Sequence, residues 1–239
     1  MFLRVLKRSI KGLLHNTWIP FVQYTMRSVQ NERQPTALSL LEMAKQRARA
    51  SSLDYMDAHM PRAMMFASRE QLWKLAVRDI ESNGLAIEFG VWEGYSIKYF
   101  ANHFHMVYGF DSFLGLREDW AGHDMVKGSF DLKGILPSVP ANVQLVPGWF
   151  DQTIPGFLQE HPETFSFVHM DCDTYEAAST ILSLIGDRLQ SGTVLVFDEY
   201  IGFPGWQQGE YRAWQEFVSG GLKYQYIGCS EYSVALRLL

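Results

Sequence analysis

The sequence is poor in cysteine and has no long apolar run. Its 239 residues include two cysteines, Cys172 and Cys229, which are too few for a disulfide framework. A reducing, cytoplasmic location is therefore expected. No apolar stretch approaches the roughly 20 residues that a membrane-spanning helix requires. The net charge of −5 argues against a general nucleic-acid-binding protein.

The N-terminal region differs in charge from the remainder of the chain. Residues 1–34 carry six basic side chains and one acid, a local charge of +5. Apolar residues recur there at helical spacing, but lysine and arginine interrupt the apolar centre that a signal peptide needs. Two interpretations remain open: residues 1–30 contact a membrane surface or a partner, or the segment packs on a neighbouring subunit or covers the active site. We favour the second, and we expect a homo-oligomer.

The chain is predicted to divide into a basic helical arm or lid over residues 1–67 and a main domain over residues 68–239. The 47% hydrophobic content is enough for a sizeable core. Within the arm, 36–50 is predicted to be a helix and 52–67 an irregular linker. Ser68 and Gln71 have the spacing of a capping box, which predicts the start of another helix.

From Leu85 onward, strand patterns alternate with helix patterns. This order predicts an α/β fold in which helices cover both faces of a parallel sheet. A short turn after Cys229 separates the last two strands, which are expected to form an antiparallel hairpin at or near a sheet edge. The prediction is a Rossmann-like, seven-stranded, mostly parallel sheet. The predicted strands are 85–91, 106–111, 142–147, 165–171, 192–198, 224–229 and 233–238, and the predicted helices are 95–104, 175–189 and 209–219.

The segment from Ala86 to Ser96 is a buried strand pattern that leads into a turn bracketed by Gly90 and Gly94. Glycine lets the backbone approach a ligand closely. Glu88 places a carboxylate inside the apolar strand, which is costly without a partner. The amino group of S-adenosylmethionine (SAM) can meet such a carboxylate, and its own carboxylate can meet a helix N-terminus. The alternative is a tight turn whose glycines serve only packing.

The next predicted strand ends in Asp111 and Ser112, with Asp111 lying 21 residues after Gly90. An acid at this place can accept both hydroxyls of a ribose, as in dinucleotide-binding folds, or it can be a solvated acid at a strand end. An NAD-dependent oxidoreductase is the rival interpretation. It is weakened because Gly90-Val-Trp-Glu-Gly94 lacks the Gly-x-Gly-x-x-Gly spacing that fits a pyrophosphate.

Two further strand patterns each end in two carboxylates. Asp171 and Asp173 follow one strand, and Asp198 and Glu199 follow the next. Four acids on one rim would repel each other without a cation. Hard oxygen ligands suit Mg²⁺, Mn²⁺ or Ca²⁺, so we favour a metal site, although some of these acids could instead cap helices.

Other metals fit the sequence less well, and an adenine contact stays open. His169 and Asp171 resemble half of a non-haem iron triad, but no histidine follows His169 to complete it. Isolated cysteines make a zinc site equally poor. Trp149 and Phe150 lie near a strand end, where an aromatic ring could stack on adenine or belong to the core.

Together these motifs resemble the class I SAM-dependent methyltransferases, and more closely the macrocin and mycinamicin type of sugar O-methyltransferase from antibiotic biosynthesis. The resemblance covers roughly residues 68–239, and the order and spacing of its motifs are more specific than any one of them. The matching segments are Glu-Phe-Gly-Val-Trp-Glu-Gly-Tyr-Ser (88–96), Gly-Phe-Asp-Ser-Phe-Leu-Gly-Leu-Arg-Glu-Asp-Trp (109–120), Gly-Trp-Phe-Asp-Gln-Thr-Ile-Pro (148–155), His-Met-Asp-Cys-Asp-Thr-Tyr-Glu (169–176) and Phe-Asp-Glu-Tyr (197–200).

The resemblance implies a SAM-dependent, Mg²⁺- or Mn²⁺-dependent O-methyltransferase that acts on a hydroxyl of a small molecule, a sugar or glycosylated natural product. By position, Asp171, Asp198 and Glu199 match the metal ligands of the family, and Asp173 matches the general base of some members. Other members use a histidine where this chain has Thr174. The implied catalytic residues are Asp173 and His169. The implied SAM-binding residues are Glu88, Gly90, Trp92, Gly94, Ser96, Asp111, Ser112, Trp149, Phe150 and Asp171.

Two other functions stay open at this point. The same metal chemistry would serve methylation of a catechol-like phenol. A degenerate relative that binds a nucleoside or a protein is the non-enzymatic alternative, although four retained strand-end acids argue against a lost activity.

Overall fold

The structure is a computed structural model that describes residues 39–78, 80 and 84–239. The chain divides into two compact units, Met1–Met43 and Ala44–Leu239. The predictions for residues 1–34 lie outside the described residues. The proposed boundary between residues 67 and 68 stays a prediction.

The described residues form one eight-stranded sheet in the order β1-β7-β8-β6-β5-β2-β3-β4. All neighbouring strands are parallel except that β8 is antiparallel to both β6 and β7. The fold prediction is confirmed, including the C-terminal hairpin. The strands are β1 (Met64–Met65), β2 (Leu85–Phe89), β3 (Val107–Asp111), β4 (Val143–Pro147), β5 (Phe165–Met170), β6 (Val194–Phe197), β7 (Tyr224–Cys229) and β8 (Val234–Leu238).

The additional strand β1 lies at the edge of the sheet. Met64 and Met65 pair with Gly228 and Cys229 of β7. A two-residue strand carries no readable alternation, so the sequence pattern does not reveal it.

Six α-helices lie in the described part of the chain: α1 (Leu40–His59), α2 (Arg69–Arg78), α3 (Tyr95–Phe100), α4 (Phe150–Glu160), α5 (Tyr175–Ile185) and α6 (Glu210–Val218). The prediction of an irregular linker over 52–67 is wrong in its first half, because α1 continues to His59 and ends just before Pro61. The sequence pattern did not predict α4, whose Pro155 and Gly156 both weaken a helical pattern.

The start of α2 follows the predicted capping box. Ser68 Oγ accepts a hydrogen bond from Gln71 N–H at 3.4 Å, and Gln71 Oε1 accepts one from Ala67 N–H at 3.2 Å. These contacts satisfy two N–H groups at the helix entrance. They fix the start of α2, whose first residue is Arg69.

Apolar layers cover both faces of the sheet. Trp73, Phe100 and Phe167 belong to one layer, and Phe110 and Trp214 belong to the other. Each of these side chains is fully excluded from solvent. Strands β5 and β6 are buried along their whole length, as expected for parallel strands covered on both sides.

The strand order reverses next to β2. From β2 the chain proceeds to β3 and β4 on one side, and it then returns to β5 and β6 on the other side. Ligands of open α/β sheets bind beyond the carboxyl ends of the strands at such a reversal. In the described part of the chain, no helix has the length and apolar character needed to cross a membrane.

Candidate active site

A cleft of about 390 Å³ lies at the carboxyl ends of the parallel strands. This volume is in the range of small-molecule sites. Of the predicted site residues, Glu88, Gly94 and His169 do not line it. Those that do are Gly90, Trp92, Ser96, Asp111, Ser112, Trp149, Phe150, Asp171, Asp173, Asp198 and Glu199.

The glycine turn is held tightly against the neighbouring strand end. Gly90 has a φ of +91°, and a Cβ at this position would lie 1.6 Å from the carbonyl oxygen of Asp171. Only glycine fits both the backbone conformation and the close approach. The turn therefore joins the β2 end to the acid-bearing β5 end.

Asp111 organises the same turn from the neighbouring strand. Its Oδ2 accepts hydrogen bonds from Val91 N–H and Trp92 N–H, both at 2.8 Å. Its Oδ1 accepts one from Phe113 N–H at 2.7 Å. Since an ionised carboxylate offers about four acceptor positions, most of this group is already used within the protein. The sequence predicted that Asp111 accepts both ribose hydroxyls, but it did not predict these three hydrogen bonds to the backbone.

Glu88 and His169 lie beneath the cleft rather than on its surface. Glu88 is 0% exposed; its Oε1 accepts a hydrogen bond from Ser96 Oγ at 3.0 Å, and its Oε2 lies 3.1 Å from His169 Nδ1. Burial raises the pKa of Glu88, and its contact with His169 opposes that shift. Burial would lower the pKa of His169, but Asp198 and Glu88 outweigh it and raise that pKa to about 10. These two groups partner each other, and the contact between Glu88 and the SAM amino group stays a prediction.

Three carboxylates converge at the floor of the cleft. One oxygen from each of Asp171, Asp173 and Glu199 lies within 4.8 Å of the others. All three are half-buried, and within the described part of the chain Glu199 Oε2 has no hydrogen-bond partner. Burial, reinforced by neighbouring negative charge, raises the pKa of each well above its usual value. A divalent cation is the partner that such a set of oxygens fits.

The fourth predicted acid, Asp198, is held differently. Its Oδ2 lies 2.9 Å from Arg69 Nη1, and its Oδ1 accepts a hydrogen bond from Ser233 Oγ at 2.9 Å. Burial works to raise the pKa of Asp198, but His169 and Arg69 outweigh it and lower that pKa. The structure thus groups Asp173, rather than Asp198, with Asp171 and Glu199.

Glu210, the first residue of α6, connects the two acid-bearing segments from below. Its Oε1 accepts a hydrogen bond from Cys172 N–H and its Oε2 one from Glu199 N–H, both at 3.2 Å. The side chain is 0% exposed, and burial raises its pKa to about 7. The sequence pattern did not identify it, because nothing local separates it from an ordinary first-turn glutamate.

The segment between β3 and β4 forms one wall of the cleft. Trp120 and Glu118 line this wall, and Trp120 stacks on His123 with ring centroids 3.8 Å apart. His123 in turn packs on Phe203, so this wall rests on the segment that follows β6. Glu176, another lining carboxylate, is close to Glu118: burial raises the pKa of Glu118, and Glu176 raises it further.

Arg117 and Trp149 form the other end of the cleft. The Arg117 guanidinium carbon lies 4.2 Å from the centroid of the Trp149 ring. The same guanidinium is 2.8 Å from Asp151. The flat aromatic surface of Trp149 fits an adenine ring.

One family model matches the central part of the chain. Residues 87–200, 114 of the 239 residues, match a model described as "Methyltransferase domain". Over this stretch the chain is similar to a methyltransferase. No curated protein sequence matches the chain.

Solved structures resemble this methyltransferase domain in fold. The crystal structure of CalS11, a calicheamicin methyltransferase, is 21% identical, with a TM-score of 0.55 over 96% of this chain and 90% of that chain. An apo structure of CalS11, there named a TDP-rhamnose 3'-O-methyltransferase, is 23% identical, with a TM-score of 0.50 over 84% of this chain and 96% of that chain. At these identities the similarity is one of fold.

The match to a methyltransferase domain favours methyl transfer over the rival NAD-dependent oxidoreductase. The cleft has room for SAM, a glycine turn on its floor and an aromatic surface at one end. These features are compatible with an adenosyl ligand.

Proposed function

We propose that this methyltransferase transfers a methyl group from SAM to a hydroxyl of a small molecule, and that it uses a divalent cation. The observation that carries the proposal is the convergence of Asp171, Asp173 and Glu199 beside the glycine turn. Carboxylates that repel each other at the floor of a cleft are costly unless they hold a cation.

The donor set favours Mg²⁺ or Mn²⁺ over softer metals, since all three ligands are carboxylate oxygens. An unactivated alcohol has a pKa near that of water, ~16, and a bound divalent cation lowers the pKa of a coordinated hydroxyl by several units. Asp171 and Glu199 are the proposed ligands on which the sequence prediction and the geometry agree. Asp198 stays a predicted ligand, with Arg69 and Ser233 as its present partners.

Asp173 is proposed to accept the hydroxyl proton. Its carboxylate lies with those of Asp171 and Glu199 at the floor of the cleft, close to where the cation would hold a hydroxyl. The other proposed duties of the chain are positional: the glycine turn orients SAM, and the wall at Trp120 excludes water from the acceptor. When bound, SAM supplies an electrophilic methyl group, and much of the rate would come from alignment of the reacting atoms.

A sugar hydroxyl is the proposed acceptor, and a catechol-like phenol is the second candidate. The motif resemblance supports a sugar, and so does the activity named for the structurally similar TDP-rhamnose 3'-O-methyltransferase. The cleft is lined by many carboxylates that can hydrogen-bond to a polyhydroxylated ring.

The proposal is tested by measuring methyl transfer from isotopically labelled SAM to panels of glycosides and catechols, detected by mass spectrometry. Each panel is assayed with Mg²⁺ and after removal of divalent ions by EDTA. We expect transfer to glycosides only with the cation present. Equal turnover in EDTA would contradict the proposed metal dependence. Transfer to catechols alone would show that the acceptor is a phenol and not a sugar.

The role of Asp173 is tested separately with Asp173→Asn. If Asp173 is the base, the variant binds Mn²⁺ normally but loses turnover by about 100-fold or more. If it is chiefly a ligand, Mn²⁺ binding falls together with turnover.

A further inference from the structure

The carboxylate of SAM needs a cationic partner in this cleft. Eight acidic residues line the cleft: Asp111, Glu118, Asp151, Asp171, Asp173, Glu176, Asp198 and Glu199. Among the described residues, two arginines, Arg69 and Arg117, are the basic side chains that line it. An anionic group entering such an environment is strongly disfavoured unless it meets a positive charge.

Three backbone N–H groups of the glycine turn already have acceptors within the protein. The N–H groups of Val91 and Trp92 donate to Asp111, and the N–H of Gly94 donates to the carbonyl oxygen of Val91 at 2.8 Å. The following helix, α3, has only six residues. A helix N-terminus was the sequence-based expectation for the SAM carboxylate, but the partial charge at the end of so short a helix is weaker than the full charge of a guanidinium.

Arg117 lies where it would contact the adenine end of SAM. It pairs with Asp151 at 2.8 Å and lies over Trp149, near the end of β4. About half of each side chain of this ion pair is exposed, so it lies at the rim of the cleft. This position suits the adenine end of the ligand rather than its amino-acid end.

Arg69 lies between the glycine turn and the acid cluster. Its guanidinium carbon is 5.2 Å from the ring centroid of Trp73 and 5.3 Å from that of Tyr95, and these rings restrict its position. Nη1 contacts Asp198 Oδ2 at 2.9 Å, and Nε lies 3.9 Å from Glu70 Oε1. Neither contact engages Nη2, and the side chain, which lines the cleft, is 43% exposed.

We propose that Arg69 binds the amino-acid carboxylate of SAM while its other side remains paired with Asp198. A guanidinium presents five N–H donors in a planar fork, so it can hold two carboxylates at once. The pairing with Asp198 and the contacts with Trp73 and Tyr95 keep the fork in place before the ligand arrives. The inference rests on SAM as the methyl donor, and it is independent of the proposed acceptor and cation.

The decisive comparison uses two ligands that differ only in the group in question. Isothermal titration calorimetry measures the binding of SAM and of decarboxylated SAM, which keeps the amine and the sulfonium but lacks the carboxylate. The proteins are the wild type, Arg69→Gln, Arg69→Lys and the matched control Arg117→Gln. Circular dichroism verifies that each variant is folded.

We expect Arg69→Gln to weaken SAM binding by about 10- to 100-fold, since a hydrogen bond between charged groups is lost. Binding of decarboxylated SAM should change by less than about twofold, and Arg69→Lys should restore part of the affinity for SAM. Arg117→Gln should affect both ligands alike.

Equal losses for both ligands in Arg69→Gln would overturn the inference, because they would show that Arg69 acts only through Asp198 and the shape of the cleft. An unchanged affinity for SAM would overturn it as well. If Arg69→Gln fails to fold, the ratio of the two affinities in Arg69→Lys decides. A wild-type protein that binds neither ligand would overturn the SAM assignment together with this inference.

Discussion

His169 Nδ1 lies 3.1 Å from Glu88 Oε2, and both side chains are fully excluded from solvent. The pair is formed between neighbouring strands, since Glu88 on β2 and His169 on β5 are register partners. Ser96 Oγ completes the group at 3.0 Å from the other carboxylate oxygen. Because neither Glu88 nor His169 lines the cleft, we expect them to support the glycine turn from beneath rather than to touch a ligand.

The first prediction concerns His169, which the motif resemblance places among the catalytic residues. In His169→Gln the buried carboxylate of Glu88 loses its main partner, so the free energy of unfolding should fall by about 3–5 kcal/mol. Turnover per folded molecule should stay within a few-fold of the wild type. Urea unfolding and steady-state kinetics measure the two effects. A normal unfolding midpoint with a hundredfold loss of turnover would instead identify His169 as a catalytic group.

The second prediction concerns the cation. Glu199→Gln removes a negative charge from the carboxylate cluster, so Mn²⁺ binding should weaken by about tenfold or more, as measured by electron paramagnetic resonance. The matched control is Glu216→Gln on α6, where the exposed Glu216 carboxylate is 2.8 Å from Arg212 and outside the cluster. This control should bind Mn²⁺ normally.

The same measurement on Asp198→Asn tests the fourth acid. Because Asp198 is held by Arg69 and Ser233, we expect a smaller loss of Mn²⁺ affinity than for Glu199→Gln. A larger loss in Asp198→Asn would return Asp198 to the ligand set that the motif resemblance implies. Normal Mn²⁺ binding in Glu199→Gln would contradict the proposed site itself.

The strands and the glycine turn could be predicted because their signals are local. Buried parallel strands read as continuous apolar runs, and Gly90 and Gly94 stand out between a strand pattern and a helix pattern. The partners of the acids could not be predicted in this way. Arg69 and Asp198 are 129 positions apart, and only the folded sheet brings them together.

Glu210 illustrates the same limit within the site. It lies 38 residues from Cys172, and its carboxylate is buried only because α6 begins beneath two strand ends. In the sequence it is an ordinary acid at a helix N-terminus, a position where acids are common on solvent-exposed helices. Because Glu210 binds the backbone of both acid-bearing segments, we expect it to hold them at a fixed distance from each other.

The third prediction follows from that position. Glu210→Ala leaves the N–H groups of Cys172 and Glu199 without their acceptor, at a cost of about 1–3 kcal/mol for each buried donor. We expect a lower free energy of unfolding and weaker Mn²⁺ binding, because the carboxylates above lose their fixed spacing. SAM affinity measured without metal should change less than Mn²⁺ affinity.

Glu210→Gln is the matched variant, since it keeps the shape of the side chain but offers an acceptor oxygen to only one of the two N–H groups. Its stability and Mn²⁺ affinity should lie between those of the wild type and Glu210→Ala. Mn²⁺ affinity equal to that of the wild type in both variants would show that Glu210 does not position the ligands.

The fourth prediction tests the close approach at the glycine turn. A methyl group at Gly90 would collide with the backbone of Asp171, and the φ of +91° strains any other residue. Gly90→Ala should therefore lower the free energy of unfolding by more than about 2 kcal/mol and abolish measurable SAM binding. The control is Gly156→Ala inside α4, where an added Cβ meets no atom within 4 Å and alanine favours the helix by about 0.5–1 kcal/mol. Thermal unfolding and calorimetry compare the two variants, and SAM binding by a stable Gly90→Ala protein would show that the turn does not form the floor of the cofactor site.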